Sequence, residues 1–122
     1  MLKNAVEVYR YASADLEVPD TVIDKFIKPL EKLYIQDLLG TALYCELTEN
    51  LDKPEFKELK NECKEYLAHL VLWYVSIFYT EDVELQQHLK KCVHYSKQHF
   101  LKWIESSKSQ FKLYRKQIYS IP

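Results

Sequence analysis

Three side chains able to ligate a metal ion, His88, Cys92 and His99, stand out among the four His and Cys residues between positions 88 and 99. On a helix at 100° per residue they fall within about 40° of one another, and each is an acceptable zinc ligand. A closed zinc site needs a fourth ligand, however. His99 also stands about three turns from His88, too far for both to reach one ion from a straight helix. The trio reads as a face of small and amphipathic residues laid against a neighbouring helix. A metal-dependent enzyme built on it would carry stoichiometric bound metal.

His69 lies between apolar neighbours and has the chemistry of a general base, but the sequence supplies no nucleophile or orienting acid beside it. It reads as an interior histidine with its hydrogen bonds satisfied. Glu55, Glu58, Glu62 and Glu65 recur at helical steps, as carboxylates of a diiron or acid–base site would, yet no Glu-x-x-His pair accompanies them. They read as a solvated helix face. Phosphate-binding loops, dinucleotide fingerprints, paired-cysteine zinc motifs and nucleophile elbows need glycine or cysteine spacings absent here. No catalytic activity, cofactor or metal is expected.

Ten tyrosines and two tryptophans point elsewhere. Both residue types bury large areas with few rotatable bonds and are enriched where protein surfaces meet, although the same residues also line small helical cores. Toward the C-terminus Lys97, Lys102, Lys108, Lys112, Arg115 and Lys116 alternate with Tyr95, Trp103, Phe111, Tyr114 and Tyr119. Such a mixture could stack on bases and grip phosphates, or form an ordinary solvated helix face. The formal charge of −1 conceals the asymmetry. Residues 1–96 hold 11 Lys/Arg and 17 Asp/Glu, net −6, whereas 97–122 hold 6 and 1, net +5.

The elements that carry these residues are predicted to be helices. Val22, Ile23, Phe26, Ile27, Leu30, Leu33, Tyr34 and Leu38 recur at three- and four-residue steps behind Asp20 as N-cap, which predicts a helix over 20–39, kinked or broken at Pro29. Gly40 suits the left-handed position that ends it, and Thr41 can cap a shorter helix to about Asn50. Asp52, Pro54 and Glu55 signal a third helix that keeps its apolar period from Phe56 to Phe78. From Leu70 to Tyr79 it is apolar on every side except Ser76, so the fold or a partner must enclose it. Thr80 is expected to cap a fourth helix with Leu85, Leu89, Cys92, Val93, Ser96, Phe100, Trp103 and Ile104 facing inward, ending near Ser106 and Ser107. Phe111, Tyr114 and Ile118 have the spacing of a last helical segment. Ahead of all these, Leu2 to Tyr11 mixes helical and alternating patterns.

The expected fold class is therefore all-α, a small helical bundle around a long antiparallel hairpin, with a helical domain over 1–109 and a partly independent basic, aromatic segment over 110–122. At 122 residues, 48% hydrophobic and 29% charged, the chain suits one domain with one core. The single glycine argues against sheet-rich folds. Cys45, Cys63 and Cys92 form no close pair and read as reduced intracellular thiols, and no stretch reaches the roughly 20 apolar residues of a membrane span.

The N-terminal part of the chain resembles the head–tail connector proteins of tailed bacteriophages, also called neck adaptors or head-completion proteins. Ile27-Lys28-Pro29, Tyr34-Ile35, Leu38-Leu39-Gly40, Leu43-Tyr44 and Leu47 carry the resemblance, preceded by the segment near Val6 to Tyr11. It covers roughly residues 1–50, and a long helical hairpin behind it fits the same architecture. The resemblance implies a structural subunit without cofactor, made in the bacterial host cytoplasm and placed in the virion neck. There it would assemble with itself in a ring, typically twelvefold, between the portal protein and tail or stopper proteins, with DNA passing nearby. It also implies that the C-terminal segment reaches the portal, which gives Phe111, Lys112, Tyr114, Arg115, Lys116, Ile118 and Tyr119 as partner-binding residues. The long inserted loop of many such adaptors has no counterpart here beyond the short links at Asn50–Asp52 and Thr80. Helix faces would have to make the contacts between subunits, for instance Glu55, Glu58, Glu62 and Glu65 against a neighbour's basic tail. A reading of another class is a helical nucleic-acid-binding or regulatory module that uses the basic C-terminal segment.

Overall fold

A computed structural model describes residues 1–12, 14–107 and 110–114, and every regular element among them is helical. The order is α1 (Ala5–Tyr11), α2 (Asp20–Leu30), a π-helical turn (Glu31–Ile35), α3 (Gln36–Leu39), α4 (Thr41–Glu49), a 3₁₀ turn (Pro54–Phe56), α5 (Lys57–Tyr79) and α6 (Val83–Ser107). The all-α class and the long hairpin are as expected. α5 is the axis of the fold, with α6 packed along its length and α1 and α2 laid against it. Leu59, Cys63, Leu67, Val71 and Val75 of α5 are wholly buried, as are Leu89 and Phe100 of α6.

α1 begins at Asn4, whose side chain accepts from the Glu7 N–H at 3.1 Å. Asp24 Oδ1 accepts from the Ala5 N–H at 2.8 Å and so ties this helix start to α2. On α5, Lys64 holds α1 by an ion pair to Glu7 at 3.6 Å and by lying 5.5 Å from the centre of the Tyr11 ring.

The stretch 20–39 is helical throughout, but not as one regular α-helix. Asp20 is its first residue and Pro19 takes the cap position, so the aspartate is not the N-cap. The helix runs through Pro29 and loosens just after it into the π turn. Proline has no N–H to return to the preceding turn, and the extra residue of a π turn shifts the register of the residues beyond it. That shift corrects the expected inner face: Leu33 rotates out to 54% exposure, and Ile35 becomes fully buried in its place.

Gly40 joins α3 to α4 alone, at φ 81° and ψ 151°. This is not the left-handed helical region but an extended one at positive φ that is essentially reserved for glycine. Gly40, rather than Thr41, occupies the cap position of α4. The hairpin turn also differs from expectation. Asp82 caps α6, its Oδ1 accepting from the Leu85 N–H at 3.0 Å, whereas the Thr80 hydroxyl turns back to donate to the Ser76 carbonyl at 2.8 Å. Thr80 thus ends α5 and does not start α6. Gln86 pins the link by donating to the Ser76 and Thr80 carbonyls at 3.2 and 3.1 Å.

Beyond α6, the Tyr114 N–H donates to the Phe111 carbonyl at 3.0 Å and closes a turn, and the rest of the helical segment expected to reach Ile118 lies outside the described residues. Phe111 is buried between Phe56 and Trp103, with ring centres 6.0 and 5.9 Å away. No helix of the described residues is long and apolar enough to cross a membrane.

Candidate functional site

Two surfaces and one interior cluster carry the side chains with chemistry to offer. The first surface is a groove of about 320 Å³ between α5, α6 and the π turn. The π turn places Tyr34 at its wall, where the Tyr34 and Tyr74 hydroxyls are hydrogen-bonded to each other. Burial, with Tyr74 beside it, pushes the Tyr34 hydroxyl up to about 12, so it stays protonated. Tyr66, Leu70 and Trp73 from α5 and Val93 and Leu101 from α6 make the remaining apolar lining. Lys90, His94 and Lys97 stand along the α6 side. Burial pushes the Lys97 ammonium down while the Asp37 carboxylate opposes the shift. The adjoining surface of α6 adds Gln87, Lys91 and Tyr95 and shares Gln98 with the groove. No carboxylate lines either part. Helical spacing explains the row, since residues 87, 90, 91, 94, 97 and 98 are linked by three- and four-residue steps and share one face.

The second surface is the tip of the hairpin. α5 runs out of cover before it runs out of apolar residues. Ser76 is fully buried, its hydroxyl donating to the Trp73 carbonyl at 2.6 Å, while Ile77, Phe78 and Tyr79 are 43, 66 and 52% exposed. The polar residue lies inside, and of the two enclosures the sequence allowed, the fold alone does not supply one for the apolar end of the helix. Phe26 of α2 packs on the exposed rings at 6.0 Å from Phe78 and 6.3 Å from Tyr79 and fixes where they stand. Exposed Val83 and the exposed carboxylates Glu81, Asp82 and Glu84 come directly after them.

The interior cluster centres on His69, which is buried as expected. Ser96 has one hydroxyl hydrogen and donates it to the Cys92 carbonyl at 2.8 Å. Its oxygen then accepts from His69 Nδ1 at 2.9 Å, and the Glu65 carbonyl accepts from the same nitrogen at 2.8 Å. This network assigns the proton to Nδ1, shared between two acceptors, so His69 does not act as a base toward Ser96. The pair clamps α5 to α6. Burial holds the imidazole below the usual histidine range, against the pull of the Glu65 carbonyl.

Of the suspected metal trio, His88 and Cys92 approach to 3.7 Å, with the Cys92 thiol pushed up by burial. His99 instead faces Glu62 at 2.9 Å and stacks beside Tyr95. Among the described residues no three His, Cys, Asp or Glu side chains are grouped to hold a metal ion. Glu62 is thereby occupied within its own chain, while Glu55 and Glu58 are exposed. Among the partner-binding residues read from the sequence, Phe111 lies in the core, Lys112 is exposed and Tyr114 is half-buried. Arg115, Lys116, Ile118 and Tyr119 lie outside the described residues.

Sequence reasoning missed the groove and the tip as sites. The apolar end of α5 was the available signal for the tip, whereas the groove depends on the π turn bringing Tyr34 to α5 and α6. Compared with protein-family models, curated proteins and solved structures, the chain matches none.

Proposed function

We propose that this chain is a non-catalytic assembly subunit, and specifically a head–tail connector that forms a ring between a phage portal and the tail. One observation carries the assembly reading, the tip at which Phe78 and Tyr79 are held in the open by Phe26. Clusters of exposed aromatic side chains that are fixed in place cost little conformational entropy on binding and mark protein contact sites. The finer reading, portal and tail, rests on the resemblance in residues 1–50 and on the helical hairpin behind it.

The test is the mass of the protein in solution by light scattering, alone and mixed with a portal ring encoded in the same genome. A ring, or a monomer that becomes one on the portal, is the expected result, and a monomer that ignores the portal overturns the connector. For the role of the C-terminal segment, truncation belongs after Tyr114, because a cut after Lys108 would also remove Phe111 from the core. Undiminished portal attachment by that truncated chain would show that the segment is not the portal anchor.

A second reading, a nucleic-acid-binding module, is favoured by the lysine row on α6 and by the basic C-terminal sequence. It requires DNA affinity that falls steeply with salt, with a slope set by several neutralised phosphates.

A further inference from the structure

The tip and the groove are complementary in shape class and in charge, and we infer that the hairpin tip of one copy docks in the α6 groove of a second copy. This rests on the assembly reading and deepens it by naming both faces of the contact. The tip offers two aromatic rings, Phe78 and Tyr79, followed within five residues by the carboxylates Glu81, Asp82 and Glu84. From Glu65 to Leu89 the sequence contains no lysine or arginine, so this end of the hairpin is acidic. The groove offers the reverse, an apolar floor that includes Trp73 and Val93, edged by Lys90 and continued by Lys91, while Lys97 further along is met by the Asp37 carboxylate.

Size points the same way. At about 320 Å³ the groove lies at the low end of the roughly 300–1,000 Å³ of pockets that accept small organic groups, so an aromatic ring is a better-matched anchor than a whole helix. The occupant must come from another molecule. Trp73 and Phe78 sit on one uninterrupted helix, α5, and a helix cannot bend its own end back onto a wall five residues earlier.

Opposite charges at the edge steer and orient such an encounter, while the buried rings hold it. Because tip and groove are different patches, the contact is heterologous. Each copy gives a tip and accepts one, and a chain of such contacts closes into a ring when the rotation between copies permits.

The full chain and two double variants test this. Glu81→Lys with Glu84→Lys makes the tip basic and spares Asp82, which caps α6. Lys90→Glu with Lys91→Glu makes the groove edge acidic; all four positions are exposed, and circular dichroism checks that the helices persist. Sedimentation velocity across a concentration series should show wild-type self-association, weakened at least roughly tenfold in either variant alone, where like charges now face each other. An equimolar mixture of the two should associate again, since each basic tip then meets an acidic groove edge and each acidic tip a basic one. Phe78→Ser gives an independent arm and should lose association without charge change.

Association that persists unchanged in both double variants would overturn the tip-to-groove contact while leaving an assembling subunit. A wild type that stays monomeric in solution and on the portal would overturn both. A monomeric wild type whose DNA binding vanishes with Lys90→Glu and Lys91→Glu would give the groove to nucleic acid and overturn the inference.

Discussion

Replacing Phe111 by alanine tests whether the chain after α6 belongs to the core. The ring is 5% exposed and wedged between Phe56 and Trp103. A buried Phe→Ala change in a closed core costs about 3–5 kcal/mol, combining lost transfer energy with the cavity left behind. Here the local chain can relax. The turn at 110–114 lies outside the α5–α6 hairpin, so it can undock without unfolding the hairpin, and the loss cannot exceed the docking energy of that turn. We therefore expect about 2–3 kcal/mol, near the transfer energy of one phenyl group. Urea unfolding of wild type, Phe111→Ala and Leu113→Ala measures it. Leu113, 40% exposed, serves as the control and should change stability by less than about 0.5 kcal/mol. Hydrogen exchange should show the amides of residues 110–114 losing protection in the Phe111 variant while the middle of α5 keeps its own. If Phe111→Ala costs no more than Leu113→Ala, the ring is not a core residue in solution. The sequence-based assignment of Phe111 to partner binding would then regain its force.

Local geometry sets three further outcomes. Gly40→Ala should destabilise the fold by about 1–3 kcal/mol in thermal or urea unfolding, because φ 81° with ψ 151° is closed to a residue with a Cβ; a neutral effect would mean that the α3–α4 joint is not built this way. Asp82→Ala should cost about 1 kcal/mol by removing the α6 cap. Thr80→Ala should act on the end of α5 and leave α6 helicity unchanged, which helix-resolved NMR shifts would separate. For His69 the folded state holds the imidazole neutral, with its affinity for a proton lowered by burial, whereas the unfolded chain titrates near 6.5. The unfolded state binds the proton more readily, so the stability from this residue is fully present above about pH 6.5 and is lost as pH falls toward the folded value. The loss is at most about 1.4 kcal/mol per pH unit. Urea unfolding from pH 7.5 to 5 should show this component in the wild type and not in His69→Gln, and equal slopes in the two proteins would refute it.

Much of the fold was legible because it is written in local terms. Apolar residues at three- and four-residue steps, one glycine and the Asp52–Pro54–Glu55 start signal placed the helices of the hairpin within a few residues. The departures have two origins, cap choice and register. Whether a polar side chain caps the helix ahead of it or behind it depends on which carbonyl or N–H lies within reach. Thr80 turned back to Ser76, and Asp82 took the cap of α6. Leu33 and Ile35 exchanged places because a π turn adds a residue that no regular period anticipates. The interior role of His69 was readable from its apolar neighbours, but its partner Ser96 lies 27 residues away and only packing brings it near.

By itself the sequence determined the helical class, the acidic body with its basic end, and a third helix apolar on nearly every side toward its end, because periodicity and charge are properties of neighbouring residues. Only the tertiary structure decided that Phe111 turns inward, that Phe78 and Tyr79 stay outside, and that Tyr34 meets α5 and α6 to form a groove edged by lysines. These depend on which helix faces which, and a helix face becomes core or surface only once another element packs against it.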